Sequence, residues 1–222
     1  MAAPLRAGPL ILACNHISNF DPMTMGAATR VIRLAPRMMA TGGLFRAPVV
    51  GAFMRAAGHI PVDRGHETVA NAVPAAMEAL RRGSVVVIYP EGRIGLDPAM
   101  WPERGKTGLA RLALATGAPV VPVATWGTHA VIAYHGRSAM IRTFVSSIWR
   151  RPVVRVHFGA PVDLSDLRYG AVGHAQLATD RVMDAITAEL APLRKDELRL
   201  PRFRDPTRPV SVARVHRSRR RG

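Results

Sequence analysis

Cysteine is almost absent. Cys14 is the only one in 222 residues, which excludes an intrachain disulfide and suits a reducing compartment. Acidic residues are scarce as well, 15 Asp and Glu against 31 Lys and Arg, for a formal net charge of +16. Aromatic residues make up only 5% of the chain, too few to alternate with the cations as stacking platforms, so no nucleic-acid partner is expected. No apolar run approaches the roughly 18 residues of a transmembrane helix. The opening stretch, MAAPLRAGPLILAC, imitates a secretory leader. Its single arginine and about six consecutive apolar residues fall short of the 7–15-residue apolar segment of such leaders. It is read as a strand ending in Cys14, a small core filler.

What is present is a globular composition, 48% hydrophobic with a mean hydropathy of +0.08, long enough for one domain with a real core. The positive charge is concentrated. From Pro192 onward eleven Lys and Arg face three Asp and Glu, a net +8 and half the total. The expected organisation is therefore a folded domain over 1–191 and a basic Pro/Arg-rich tail over 192–222, solvated and partly disordered. As a functional element the tail suits a polyanion, and an anionic membrane surface before nucleic acid.

Strand and helix signals alternate along the domain. PLILAC, SVVVIYP, APVVPVATW and VVRVHFG read as strands. A helix is expected after NHISNF. Between Glu67 and Arg82, Val69, Ala72, Val73, Ala76, Met77 and Leu80 share one helical face, with Pro74 expected to kink the helix or mark its first turn. KTGLARLALATG predicts a helix closed by Gly117, and a late helix runs from Gln176 to Leu190. The expectation is an α/β single domain, a mostly parallel or mixed central sheet flanked by helices.

Sites in such sheets gather at the loops leaving the carboxyl ends of strands. Three polar clusters stand there: NHISNFD after the first strand, GHIPVDRG at 58–65, and YPEGRIG after SVVVI. Alone, Asp21 before Pro22 reads as a helix N-cap and His16 as a turn histidine. Brought together by the turn, they fit a general base and the carboxylate that orients it.

In order and spacing these blocks resemble the lysophosphatidic acid (1-acylglycerol-3-phosphate) acyltransferase family. NHISNFDP is similar to its NHxSxxD motif, GHIPVDRG to its second block, YPEGRIG to its FPEGTRS block, and APVVPVATWGT to its fourth. The resemblance spans roughly Ala13 to Thr128 and implies a glycerolipid-acyltransferase-like fold. It implies His16 as catalytic base, Asp21 as its partner, and Arg64 on the acceptor phosphate. Glu91 and Gly92 would shape the acceptor site. EGRI in place of EGTR brings the block's arginine one place forward, to Arg93, as in some members acting on other glycerophospholipids. The acceptor headgroup thus stays open. Lys106 reads equally as a phosphate contact and as a solvated lysine at a helix start.

The implied reaction is direct acyl transfer from acyl-CoA or acyl carrier protein to the free hydroxyl of a lysophospholipid, most simply 1-acylglycerol-3-phosphate. It needs no metal and no cofactor beyond that co-substrate. Ser18 lacks the surroundings of a nucleophile elbow and reads as a turn serine. Family members often carry a hydrophobic N-terminal element. This chain reaches its first strand by Pro9, so another surface, the tail, is expected to meet the membrane. The corresponding location is cytoplasmic, peripheral on the inner face of the cell membrane. Two other readings stay open: a metal-dependent phosphoesterase using His16, Asp21, His59 and Asp63, and a non-catalytic basic membrane- or nucleic-acid-binding module.

Overall fold

The stretch from Leu10 to Cys14 contains no polar side chain, and all five of its residues are buried. Successive side chains of a strand point to opposite faces, so such a run is stable only where both faces are covered. The computed structural model, which describes residues 8–62, 66–95, 97, 99–134 and 136–195, supplies that cover. In chain order the elements are β1 (Leu10–Cys14), α1 (Asp21–Val31), β2 (Arg37–Thr41), α2 (Gly42–Arg46), α3 (Pro48–Ala56), β3 (Ile60–Val62) and α4 (His66–Arg81). There follow β4 (Val85–Ile88), α5 (Gly108–Thr116), β5 (Val120–Trp126), α6 (Thr128–Val131), α7 (Arg137–Arg150), β6 (Arg155–Phe158) and α8 (His174–Leu193).

The six strands lie in the order β3-β2-β4-β1-β5-β6. Every neighbouring pair is parallel except β5 with β6, so the sheet is mixed, within the expected class. Alternate residues of the central strands enter two cores. Ile11, Ala13, Val86, Ile88 and Val120 pack with Leu80 of α4, Leu112 of α5 and Ile186 of α8. Leu12, Cys14, Val87, Val121 and Val123 pack on the other side with Met25 of α1 and with Leu34. Burial of such side chains is worth about 1.5–3 kcal/mol each, so these two cores hold the helices firmly to the sheet.

Of the described part of the expected α4 face, Ala76 and Leu80, with Met77 against them, are in the first of these cores, while Val73 is half-buried outside it; the side chains of Val69 and Ala72 lie outside the described residues. The helix runs unbroken through Pro74. Pro74 is exposed, so its ring costs the core no packing, and the helix absorbs the loss of one backbone hydrogen bond. Residues 58–62 differ from expectation. Instead of loop throughout, Ile60–Val62 forms the edge strand β3, with Ile60 buried. At the other end α8 continues past Leu190 through Pro192 to Leu193, and Arg194 is buried with its guanidinium 4.3 and 4.2 Å from the ring centroids of Trp101 and Trp126. The expected tail beyond Lys195 lies outside the described residues.

Candidate active site

β1 and β4 are parallel neighbours, with Ala13 level with Ile88. Their carboxyl ends therefore open on the same edge, and the chain leaving each begins with one of the polar clusters. Residues 75 positions apart meet there: the backbone N–H of His16 donates to Oε1 of Glu91 at 3.2 Å.

Asn15 fixes where the first loop starts. It is fully buried, donates Nδ2 to the Thr125 carbonyl at 3.0 Å, and accepts the Thr125 backbone N–H at 2.8 Å. This two-way clasp to β5 ends β1 and releases the chain into the turn. Nδ1 of His16 then lies 2.7 Å from Oδ2 of Asp21. The same oxygen accepts the backbone N–H groups of Ile17 and Ser18, at 2.7 and 2.9 Å. Asp21 opens α1 and is fully buried, whereas the His16 side chain keeps 17% exposure. A carboxylate only accepts, so the ring proton sits on Nδ1 and the lone pair on Nε2 is left for chemistry. Ser18 Oγ donates to the Ile132 carbonyl at 2.6 Å and accepts from Phe20 N at 3.0 Å, the work of a turn serine. Asn19 is exposed.

The third cluster supplies the floor. Tyr89 stacks on the His16 imidazole, with centroids 4.3 Å apart and planes inclined by 27°. Burial, and then the negative charge of Asp21, push its phenol well above the usual range. Its hydroxyl is buried without a hydrogen-bond partner among the described residues. Cys14, raised by burial and by Asp21, likewise stays a neutral thiol. Glu91 is buried and acts as a brace, since its Oε2 accepts the backbone N–H of Glu103 at 3.0 Å while Oε1 holds His16. Gly92 turns the chain at φ +68°, a conformation that L side chains adopt at a cost. Lys106 is exposed and lays its stem across Gly92.

Arg93 is 9% exposed and paired with the Glu103 carboxylate through one terminal nitrogen. Its Nε and Nη1 are buried with no partner among the described residues. Arg64 lies outside the described residues, as does Asp63. Of the second cluster, His59 is seen to have a structural contact: its Nδ1 accepts the backbone N–H of Met38 at 3.1 Å. Burial lowers its pKa. Among the described residues no three His, Cys, Asp or Glu side chains are grouped so as to hold a metal ion. Sequence reasoning missed two contributors, Tyr89 and Asn15. Tyr89 stands at the first position of the third motif, which was a usable signal. The Asn15–Thr125 clasp spans 110 residues and leaves no local trace.

Residues 3–126 match the model of a family described as Acyltransferase. A chloroplastic 1-acyl-sn-glycerol-3-phosphate acyltransferase of Brassica napus is 26% identical over 157 residues, 70% of this chain and 43% of that protein. An N-acylphosphatidylethanolamine synthase of Arabidopsis thaliana is 31% identical over 121 residues, 52% of this chain and 42% of that protein. The chain spans less than half the length of the curated relatives it matches. The crystal structure of the 1-acyl-sn-glycerophosphate acyltransferase PlsC from Thermotoga maritima aligns with a TM-score of 0.62 over 90% of this chain and 70% of that one. At 21% identity this likeness establishes a shared fold.

Proposed function

The chain belongs to the acyltransferase family, and on that premise we propose that it moves an acyl chain from a thioester donor, acyl-CoA or acyl carrier protein, to the hydroxyl of a lysophospholipid. The observation that carries this reading is the His16–Asp21 pair, with Nδ1 engaged at 2.7 Å and Nε2 left as the base. As the acceptor oxygen attacks the thioester carbonyl, Nε2 takes its proton. The C–S bond then breaks, the sulfur leaves with that proton, and the ester remains. Asp21 steadies the transient imidazolium, and general base action of this kind contributes about 10²–10⁴-fold. Glu91 acts through the His16 backbone and not on substrate. The reaction needs no metal or further cofactor.

Arg93 supports a phosphate-bearing acceptor. A buried guanidinium with two unpartnered nitrogens has donors to spare, and paired oxygens of a phosphate fit that fork. This favours 1-acylglycerol-3-phosphate as acceptor, with Arg64 as a second phosphate ligand. A lipid substrate places the enzyme at a membrane surface. No helix among the described residues is long and apolar enough to cross one, and a peripheral site on the cytoplasmic face fits the composition.

The deciding experiment is an acceptor screen with the purified chain, labelled acyl-CoA and acyl carrier protein, and lysophospholipids of different headgroups. Phosphatidylethanolamine belongs in the panel because one relative is named for its N-acylation. Transfer to lysophosphatidic acid above the others supports the reading. Transfer to none of them, with hydrolysis of a phosphate ester instead, overturns it.

A further inference from the structure

A helix on the surface of a globular domain ordinarily turns its large apolar side chains inward. α7 does the reverse. Ile141, Phe144, Val145, Ile148 and Trp149 fall at i, i+3, i+4, i+7 and i+8, so they share one face. All five are exposed, Ile148 at 58% and Trp149 at 74%. The opposite side is polar and partly covered. There Thr143 Oγ1 accepts the backbone N–H of Ala133 at 2.9 Å, and Ser146 and Ser147 are half-buried.

Charge narrows what can cover the apolar face. Between Glu103 and Asp163 the sequence has no acidic residue, while Thr128 to Phe158 carries Arg137, Arg142, Arg150, Arg151 and Arg155. Arg142, Arg150 and Arg151 are exposed on or at the end of the helix. A second copy of this chain would bring the same positive charges against them. A bilayer with anionic headgroups answers both features, and a cationic helix with Trp and Phe on its apolar side is the pattern of one lying in the interfacial plane.

The position fits as well. The chain just before α7 is bonded to the catalytic loop, because Ser18 donates its hydroxyl to the Ile132 carbonyl at 2.6 Å and its backbone N–H to Asp21. We infer that α7 is the interfacial helix by which this protein lies on an anionic phospholipid bilayer, holding the loop of His16 and Asp21 beside the surface. This is distinct from attraction through the C-terminal tail. It does not depend on the acyl-transfer reading, since binding is measured without donor or acceptor.

The test uses the full chain with phosphatidylcholine vesicles, with and without phosphatidylglycerol. Trp101 and Trp126 are buried and Trp149 is exposed, so Trp149 dominates any environment-dependent change in emission. On vesicles containing phosphatidylglycerol the emission should shift to the blue and be quenched by brominated acyl chains; W149F should lose the signal and keep the binding. Phe144→Asp and Ile148→Asp should each weaken sedimentation with these vesicles at least about tenfold. Both sites are exposed, so unchanged thermal melting would show that the fold is intact. Three results would overturn the inference: no blue shift, Asp variants that bind like the parent, or a dimer in solution that these same variants dissociate.

Discussion

His16 and Asp21 share one hydrogen bond of 2.7 Å, and its acceptor oxygen is held in place by two backbone N–H groups from the intervening turn. The carboxylate is therefore aimed at the imidazole by the same turn that connects them, and any movement of one residue carries the other along.

This coupling sets the first prediction. His16→Ala should lower kcat at least about a hundredfold with the fold intact, because it removes the group proposed to take the proton. Asp21→Asn should do less harm, since the imidazole stays, but an amide N–H facing Nδ1 favours the wrong tautomer. Steady-state acyl transfer with circular dichroism on the same samples checks both. Near-normal turnover by folded His16→Ala would refute the general-base mechanism.

Arg93 provides the second. Truncating it to Ala would remove both the charge and the ion pair with the half-buried Glu103, so the informative change is Arg93→Lys, which keeps the charge and loses the fork. The KM for the lysophospholipid should rise roughly tenfold, the equivalent of about 1.4 kcal/mol, while that for acyl-CoA stays put. Arg64→Ala should shift the same constant in the same direction. An effect confined to the acyl-CoA KM would move Arg93 to the donor side.

Tyr89 separates stacking from hydrogen bonding. Its ring lies on His16, whereas its buried hydroxyl has no partner among the described residues. Tyr89→Phe should keep activity and leave stability unchanged or raised by up to about 1 kcal/mol, because an unsatisfied polar group is removed. Tyr89→Ala should lose both. Thermal melts beside turnover numbers read the difference, and a collapse of activity in Tyr89→Phe would assign the hydroxyl a catalytic role.

The pH dependence of stability follows from His59. Burial holds its pKa below the ordinary 6.5, so the unfolded chain takes up a proton that the folded one refuses. This contribution to stability is complete above about 6.5 and falls as pH drops from there towards the folded value. His59→Asn, whose Oδ1 can still accept the Met38 N–H, should flatten that part of the curve. Urea midpoints between pH 7.5 and pH 5 should show it, and an unaltered slope would remove His59 as the cause.

The C-terminal boundary gives the last prediction. A chain ending at Ala191 loses Arg194, which two tryptophan faces hold, and should melt several degrees lower. A chain ending at Lys195 should melt like the full chain and lose only the salt-sensitive part of its binding to anionic vesicles, within the range that screening allows. Equal melting of the two truncations would reduce the Arg194 contacts to decoration.

Much of this was legible locally. An all-apolar run such as Leu10–Cys14 demands a doubly covered strand. A helix face at Ala76 and Leu80 demands a core, and His16 five residues before Asp21-Pro22 needs only a turn to become a pair. These signals lie within one element or one loop, where periodicity and residue chemistry act directly. The tertiary structure decided what depends on distant partners. Ile60–Val62 is a strand because β2 offers it an edge, and Tyr89 floors the imidazole because β4 runs beside β1 in parallel register. Asn15 ends its strand through Thr125, and Arg194 is buried because Trp101 from a loop and Trp126 from the end of β5 converge on it. α7 shows the divide most plainly. Its amphipathic spacing is written in the sequence, but periodicity is the same whether an apolar face turns inward or outward. Only the packing of Thr143 against Ala133 put Phe144, Ile148 and Trp149 on the outside.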